Sequence, residues 1–285
     1  MTFEELQSSI IELQGINGID FFIMGYSTLS QPIYGVHLGN YDGKQILIEG
    51  GIHAREYPAS MVVVDIIKYL ATQTLNGGIY AIPLMNPDGA RIVLDGLDYI
   101  PCQKLRDYLL HINDGNNDFS QWKANSMAVD MNVNFDALWG MGSQNVFCPA
   151  PGNFIGYYPN SEREVRELID YTYRVNPSLT LSFHTKGEVI YYGFETLTPE
   201  ELTRDANIAN LISSINGYIP TKTENSVGGY SDWVSEYLRV PAFTIEIGPI
   251  SAPTPVPIEY VPDAVERNKN VPIELLNFLN ENINL

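Results

Sequence analysis

Residues 45–58 read QILIEGGIHAREYP. An apolar extended run closes on Gly50 and Gly51, a histidine follows at 53 and a glutamate at 56, and from about Tyr57 to Thr74 the pattern becomes that of a long apolar helix. The glycines permit a tight approach of the chain at the turn. His53 falls just past the strand and Glu56 in the first turn of the helix, a spacing that lets an imidazole and a carboxylate converge on one point. Such a pair is part of a metal site, because catalytic zinc takes three protein ligands of histidine or carboxylate type and keeps a fourth position open. A third ligand is expected at the end of a neighbouring strand.

Outward from that stretch, helix and strand signals alternate. A helix near 2–14, with Thr2 placed to cap it, precedes extended runs at FFIMGYS (21–27) and IYGVHLG (33–39). GIYAIPLM (78–85) reads as a buried strand ended by a turn at Asn86-Pro87-Asp88-Gly89. Ser161 with Glu164 forms the pattern of a capping box for a helix running to about Asn176, and SLTLSFH (178–184) reads as another buried strand. A helix near 202–216 leads to the strand PAFTIEIG (241–248), and 262–282 is helical with a kink or restart at Pro272. Short, wholly apolar strands separated by helices predict an α/β fold whose sheet is largely parallel and covered on both faces. Ligands then bind outside the carboxyl ends of the strands. No repeat or Pro/Gly-rich linker divides the chain, so residues 1–285 are expected to form one domain. Residues 90–160, rich in Gly, Asn and Pro with little periodicity, are expected to supply loops that wall a substrate site.

Composition narrows the function classes. The net charge is −18, from 34 Asp plus Glu against 16 Lys plus Arg, with no basic block, which argues against nucleic acid or an anionic membrane as partner. There is no run of 18 apolar residues to span a bilayer. The amino-terminal MTFEELQSSIIELQ is acidic and amphipathic, unlike a signal peptide, so a cytoplasmic location is expected, with secretion by way of a removed leader left open. Cys102 and Cys148 are too few for a disulfide framework and are read as free thiols, a single bridge being the alternative.

His184 is the candidate third ligand, since SLTLSFH carries its one strong metal-binding side chain at its carboxyl end; a half-buried structural histidine is the competing reading. His37, inside a strand, and His111, in a loop or short helix, have no carboxylate at ligand spacing. Glu246 lies in the apolar strand FTIEIG, where a charge is costly unless a metal or catalytic partner compensates it, and it suits the role of a proton acceptor that is not itself a ligand.

Taken together, His53, Glu56, His184 and Glu246, with MNPDG at 85–89, DMNVNF at 130–135 and the closing TIEIG, resemble the zinc carboxypeptidase family over about residues 20–250. The resemblance implies a single α/β domain with a mixed, mostly parallel eight-stranded sheet flanked by helices on both faces. It also implies one zinc per chain held by His53, Glu56 and His184, with Glu246 as base. Arg55 matches a family arginine lining the substrate cleft, and Lys123 in WKAN lies where relatives carry a basic residue. In DxNRN the family reads a substrate's terminal carboxylate with an Asn-Arg pair; here Asn132 is kept but Val133 replaces the arginine and cannot bind an anion. The segments WKANSMAVDMNVNF, SFHTKGEVIYYG and GGYSDWVSEYLRVPAFTIEIG are similar to the γ-D-glutamyl-L-diamino acid peptidase branch, which cuts bacterial cell-wall peptides. The resemblance thus implies a zinc metallopeptidase acting on a small peptidoglycan-derived peptide. Tyr230, 16 residues before Glu246, is the nearest candidate for the family's mobile aromatic over substrate, a packed tyrosine at a helix start being the alternative; Glu188, just past the metal strand, is read as a solvent-exposed acid, with a contact to the substrate's amino group as the other reading. A carboxypeptidase of altered C-terminal specificity and a weakly active peptide-binding member are the alternatives.

Overall fold

A computed structural model describes residues 1–282. The strands are β1 (Ile19–Tyr26), β2 (Pro32–Gly39), β3 (Gln45–Gly50), β4 (Gly78–Ile82), β5 (Leu179–Thr185), β6 (Val189–Tyr192), β7 (Ile219–Lys222) and β8 (Ala242–Ile247). They form one eight-stranded sheet in the order β1-β2-β4-β3-β5-β8-β6-β7. The central run β4-β3-β5-β8 is parallel, as is β6-β7, while β1-β2, β2-β4 and β6-β8 are antiparallel. This is the mixed, mostly parallel sheet expected.

The helices are α1 (Phe3–Ile11), α2 (Tyr57–Leu70), α3 (Pro87–Asp95), α4 (Gln103–Ile112), α5 (Arg163–Val175), α6 (Pro199–Asn216), α7 (Tyr230–Tyr237), α8 (Val261–Asn268) and α9 (Val271–Glu281). Side chains of α1, α2, α6, α8 and α9 share a core with one sheet face, and α5 and α7 cover the other. On α2, Val62, Val63, Ile66, Ile67 and Leu70 recur at helical spacing and are wholly or almost wholly buried in the first core. Each such side chain contributes roughly 1.5–3 kcal/mol when taken out of water.

The central strands are not uniformly apolar. Ile46, Ile48, Leu181, Phe183, Phe243, Ile245 and Ile247 all belong to the first core. The residues that alternate with them, Leu47, Glu49, Thr180, Ser182, His184, Ala242, Thr244 and Glu246, point to the opposite side. Register aligns the polar ones: Glu49 pairs with Ser182, Ser182 with Thr244, and His184 with Glu246. A polar column therefore runs to the carboxyl ends of three adjacent strands.

Three local expectations change. The segment 86–89 is a helix start: the Asn86 side chain accepts from Gly89 N at 2.9 Å and Pro87 opens α3, where its missing N–H costs nothing. The helix after Ser161 begins at Arg163 without a side-chain cap; Ser161 Oγ instead donates to Glu162, and buried Glu164 accepts from Thr28 N at 2.9 Å. Residues 90–160 include the helix α4 and most of α3 between their loops. Near the carboxyl end the helix does restart at Pro272, within the first turn of α9. Cys102 and Cys148 are exposed and free. Among the described residues no helix is long and apolar enough to cross a membrane.

Candidate metal centre and active-site cavity

Past β3 the chain makes a turn that only glycine fits. Gly51 has φ +66°, and a Cβ there would stand 2.2 Å from Ser60 Oγ. Asn86 locks the same turn from outside, donating to Ile52 O at 3.1 Å and to Ala124 O at 3.2 Å. His53 follows in extended conformation, residues 54–56 form one 3-10 turn, and α2 starts directly after. Ala54 N donates to Lys123 O at 3.1 Å, which ties the ligand turn to the loop carrying Lys123.

The structure brings His53, Glu56 and His184 together. His53 Nδ1 lies 3.0 Å from Glu56 Oε1, His184 Nδ1 lies 3.0 Å from Glu56 Oε2, and the two Nδ1 atoms are 3.1 Å apart. All three side chains are buried, and these three residues form the one metal-competent cluster found among the described residues. Thr185 N donates to Glu56 Oε2 at 3.2 Å and helps fix the carboxylate. Burial lowers the His53 pKa, but Glu56 and Asp130 raise it further, and despite burial the two histidines hold Glu56 well below the usual carboxylate range. The site thus favours positive charge at its centre. Two imidazole nitrogens and a carboxylate converging out of water, with a cavity on one side, suit a catalytic zinc.

Asp130, quoted above only as part of DMNVNF, takes a place that sequence reasoning did not assign. Its Oδ1 lies 3.3 Å from His53 Nε2 and its Oδ2 lies 3.2 Å from Lys123 Nζ. Burial would raise its pKa, but Lys123 and His53 depress it strongly, so it is a buried anion between two partners. Burial would lower the Lys123 pKa, and Asp130 and Glu56 raise it instead. Nothing in local sequence marks Asp130; its partners lie 77 and 7 residues away.

A cavity of about 350 Å³ opens at the carboxyl ends of β5 and β8. His53, His184, Glu246, Lys123, Asn132 and Val133 all line it. Glu246 Oε2 is buried and makes no hydrogen bond, and burial together with the Glu56 charge pushes the Glu246 pKa up to about 7. Asn132 Oδ1 accepts from Tyr230 N at 3.0 Å. Lys123 is the only lysine or arginine among the described residues lining the cavity. Residues 142–145 and 153 of the long loops also contribute to its wall.

Other expected residues fall elsewhere. Arg55 donates to Gln121 O at 3.1 Å and lines a neighbouring depression with Lys123, Gln144 and Asn153, beside the main cavity. Tyr230 occupies the packed position rather than the cavity wall. It is fully buried in the second core, its hydroxyl lies 2.8 Å from Thr172 Oγ1, and its ring packs on Phe135 and Trp233, so no part of it faces the cavity. Glu188 lies 3.7 Å from Arg267 Nη1 and does not line the cavity. His37 is buried in β2 and stacked on Tyr41, and His111 lies on α4.

Comparison with known proteins adds to this geometry. The family model described as zinc carboxypeptidase matches residues 19–270. A γ-D-glutamyl-L-diamino acid endopeptidase 1 of Lysinibacillus sphaericus is 32% identical over 269 residues, 89% of this chain and 65% of that protein. This chain therefore spans just under two thirds of that relative's length. Among solved structures, bovine thrombin-activatable fibrinolysis inhibitor superposes with a TM-score of 0.78 at 16% identity, covering 99% of this chain and 98% of that one. Murein-tripeptide amidase MpaA from Escherichia coli O157 gives 0.58 at 19% identity over 90% of this chain and 91% of that one. At these identities the two structures establish a shared fold.

Proposed function

Because the chain belongs to the zinc carboxypeptidase family, we propose that it is a zinc-dependent peptidase that hydrolyses an amide bond in bacterial cell-wall peptides, the bond between the D-glutamate side chain and a diamino acid. The observation that carries this is the convergence of His53, Glu56 and His184 beside a cavity that His53 and His184 line together with Glu246. The substrate class is supported by the named activity of the L. sphaericus relative and, more distantly, by the murein-tripeptide amidase among the fold neighbours.

His53 Nδ1, His184 Nδ1 and the Glu56 carboxylate would hold one zinc per chain. When bound, the ion supplies Lewis acidity, polarising the scissile carbonyl and making attacking water more acidic. Glu246, unpaired and facing the cavity, takes the proton from that water and delivers it to the leaving amine. Its raised pKa suits both halves of that transfer, since a base that binds its proton near neutral pH can also release it there. Lys123 faces the cavity with its ammonium held by Asp130 and Asn153, and it stabilises negative charge developing on the carbonyl oxygen. Arg55 adds positive potential from the adjoining depression. Asn132 presents its amide to the substrate beside Val133, whose apolar side chain cannot clamp a terminal carboxylate.

The test is hydrolysis by purified, zinc-loaded protein of L-Ala-γ-D-Glu-diaminopimelate peptides, set beside standard C-terminal carboxypeptidase substrates. Release of the diamino acid from the first set is expected. Cleavage of the second set alone would reassign the protein as a carboxypeptidase of altered specificity, and binding of either set without cleavage would make it a peptide-binding member of the family.

A further inference from the structure

Glu49 is a charged residue inside the most protected part of the sheet. It is 0% exposed, neither carboxylate oxygen makes a well-formed hydrogen bond, and the neutral Ser182 hydroxyl opposite it on β5 gives only partial compensation. A carboxyl group placed there without compensation is costly whether or not it carries its proton. Its place follows from register: Glu49 of β3 stands opposite Ser182 of β5, so His184, two residues further along β5, lies on the same face. His184 has a matching deficit. Its Nδ1 is committed to the ligand cluster, while its Nε2 is buried and also makes no hydrogen bond. The two unsatisfied groups face each other, with Nε2 3.9 Å from Glu49 Oε1. A combined approach of about 0.7–1.2 Å by ring and carboxylate brings them to hydrogen-bond range, about 2.7–3.2 Å.

We infer that Glu49 is the positioning residue for His184: it accepts the Nε2 proton, fixes the tautomer that leaves Nδ1 free to bind zinc, and holds the ring at the angle the site needs. Asp130 stands in the same relation to His53, 3.3 Å from its Nε2. The difference is that Asp130 is balanced by Lys123, whereas no lysine or arginine is paired with Glu49 among the described residues. With only the Ser182 hydroxyl beside it otherwise, Glu49 depends on the His184 ring for the hydrogen bond that makes its burial tolerable. Outer partners of this kind orient metal-binding imidazoles and raise their basicity, and their loss typically weakens metal binding ~10–100-fold.

The inference rests on zinc binding as proposed above, and the experiment separates the two. Zinc affinity is measured by chelator competition for wild type, Glu49→Leu and Glu49→Gln, alongside thermal unfolding of the metal-free proteins. Nitrogen NMR of the zinc-loaded wild type reports which ring nitrogen of His184 carries the proton. The expected result is a ~10–100-fold weaker zinc affinity in Glu49→Leu with metal-free stability equal or higher, a smaller loss in Glu49→Gln, which keeps an acceptor oxygen, and a His184 proton on Nε2. A purely structural role would give the reverse, lower stability with unchanged affinity. If Glu49→Leu does not fold, Glu49→Gln and the wild-type spectrum decide. Affinities within two-fold of wild type, or a His184 proton on Nδ1, overturn the positioning role alone; absence of zinc binding by wild type overturns both it and the proposed function.

Discussion

The two faces of β3, β5 and β8 are built from the same residues in alternation and do opposite work. On one face Ile46, Ile48, Leu181, Phe183, Phe243, Ile245 and Ile247 pack against helices with no polar side chain between them. On the other, Glu49, Ser182, His184, Thr244 and Glu246 form a column ending at the cavity. Only side chains of the second face are unsatisfied, Glu49, His184 and Glu246 among them. The contrast teaches that the fold concentrates stability on one side of a strand so that the other can hold groups whose free energy is recovered only when metal and substrate arrive.

Three experiments break or sharpen that contrast. The largest effect is expected at the end of the polar column. Glu246→Gln should lower kcat/KM on the cleaved peptide ~10²–10⁴-fold with zinc content unchanged, as removal of a general base does. Turnover at the wild-type rate would remove Glu246 from the mechanism. Next comes a pair of adjacent residues on opposite faces. Phe183→Ala empties a fully buried site and should cost about 3–5 kcal/mol in urea unfolding. Ser182→Ala, which removes a 3.4 Å contact to Ser231 and a hydroxyl beside Glu49, should cost about 1 kcal/mol. Equal losses would show that the two faces share the stability evenly.

The third effect, smaller than the loss at Phe183, concerns a buried acid remote from the column. Burial, reinforced by Asp88 and Glu162, pushes the Glu164 pKa up to about 7 from 4.5, against the bonds it accepts from Thr28. The folded state therefore binds this proton more tightly than the unfolded chain does. The corresponding stability is present below about pH 4.5 and is lost as pH rises through about 7, by up to about 3 kcal/mol. Glu164→Gln lacks that loss, so its melting temperature should gain on wild type between pH 5 and pH 8. Curves that stay parallel would show that the folded state does not hold the Glu164 proton more tightly than the unfolded chain does.

Much of this was legible in the chain because strand-end chemistry leaves local marks. The histidine of SLTLSFH and the glutamate of FTIEIG stand out against apolar neighbours, and QILIEGGIHAREYP announces a strand, a glycine turn and a helix in order. The sheet and the ligand cluster follow from them. Glu49 was also visible, as the acid in ILIEG at a position where the partner strand has serine, but reading those strands as apolar on both faces hid the two-residue period that gives it meaning. Asp130 was not assignable, since its role comes from long-range approach to His53. Tyr230 had two readings in the chain because proximity to Glu246 in sequence says nothing of which way the first residue of α7 points; burial against Phe135 and Trp233 decides that.

The central claim is that His53, Glu56 and His184 share one metal ion. Zinc titration of wild type and His184→Ala, followed by X-ray absorption of the wild-type complex, tests it most directly. The account requires one tightly bound zinc per wild-type chain with two imidazoles and a carboxylate in its coordination sphere, and a loss of that tight site in His184→Ala. Unchanged zinc affinity in His184→Ala, or a coordination sphere containing a single imidazole, would contradict it.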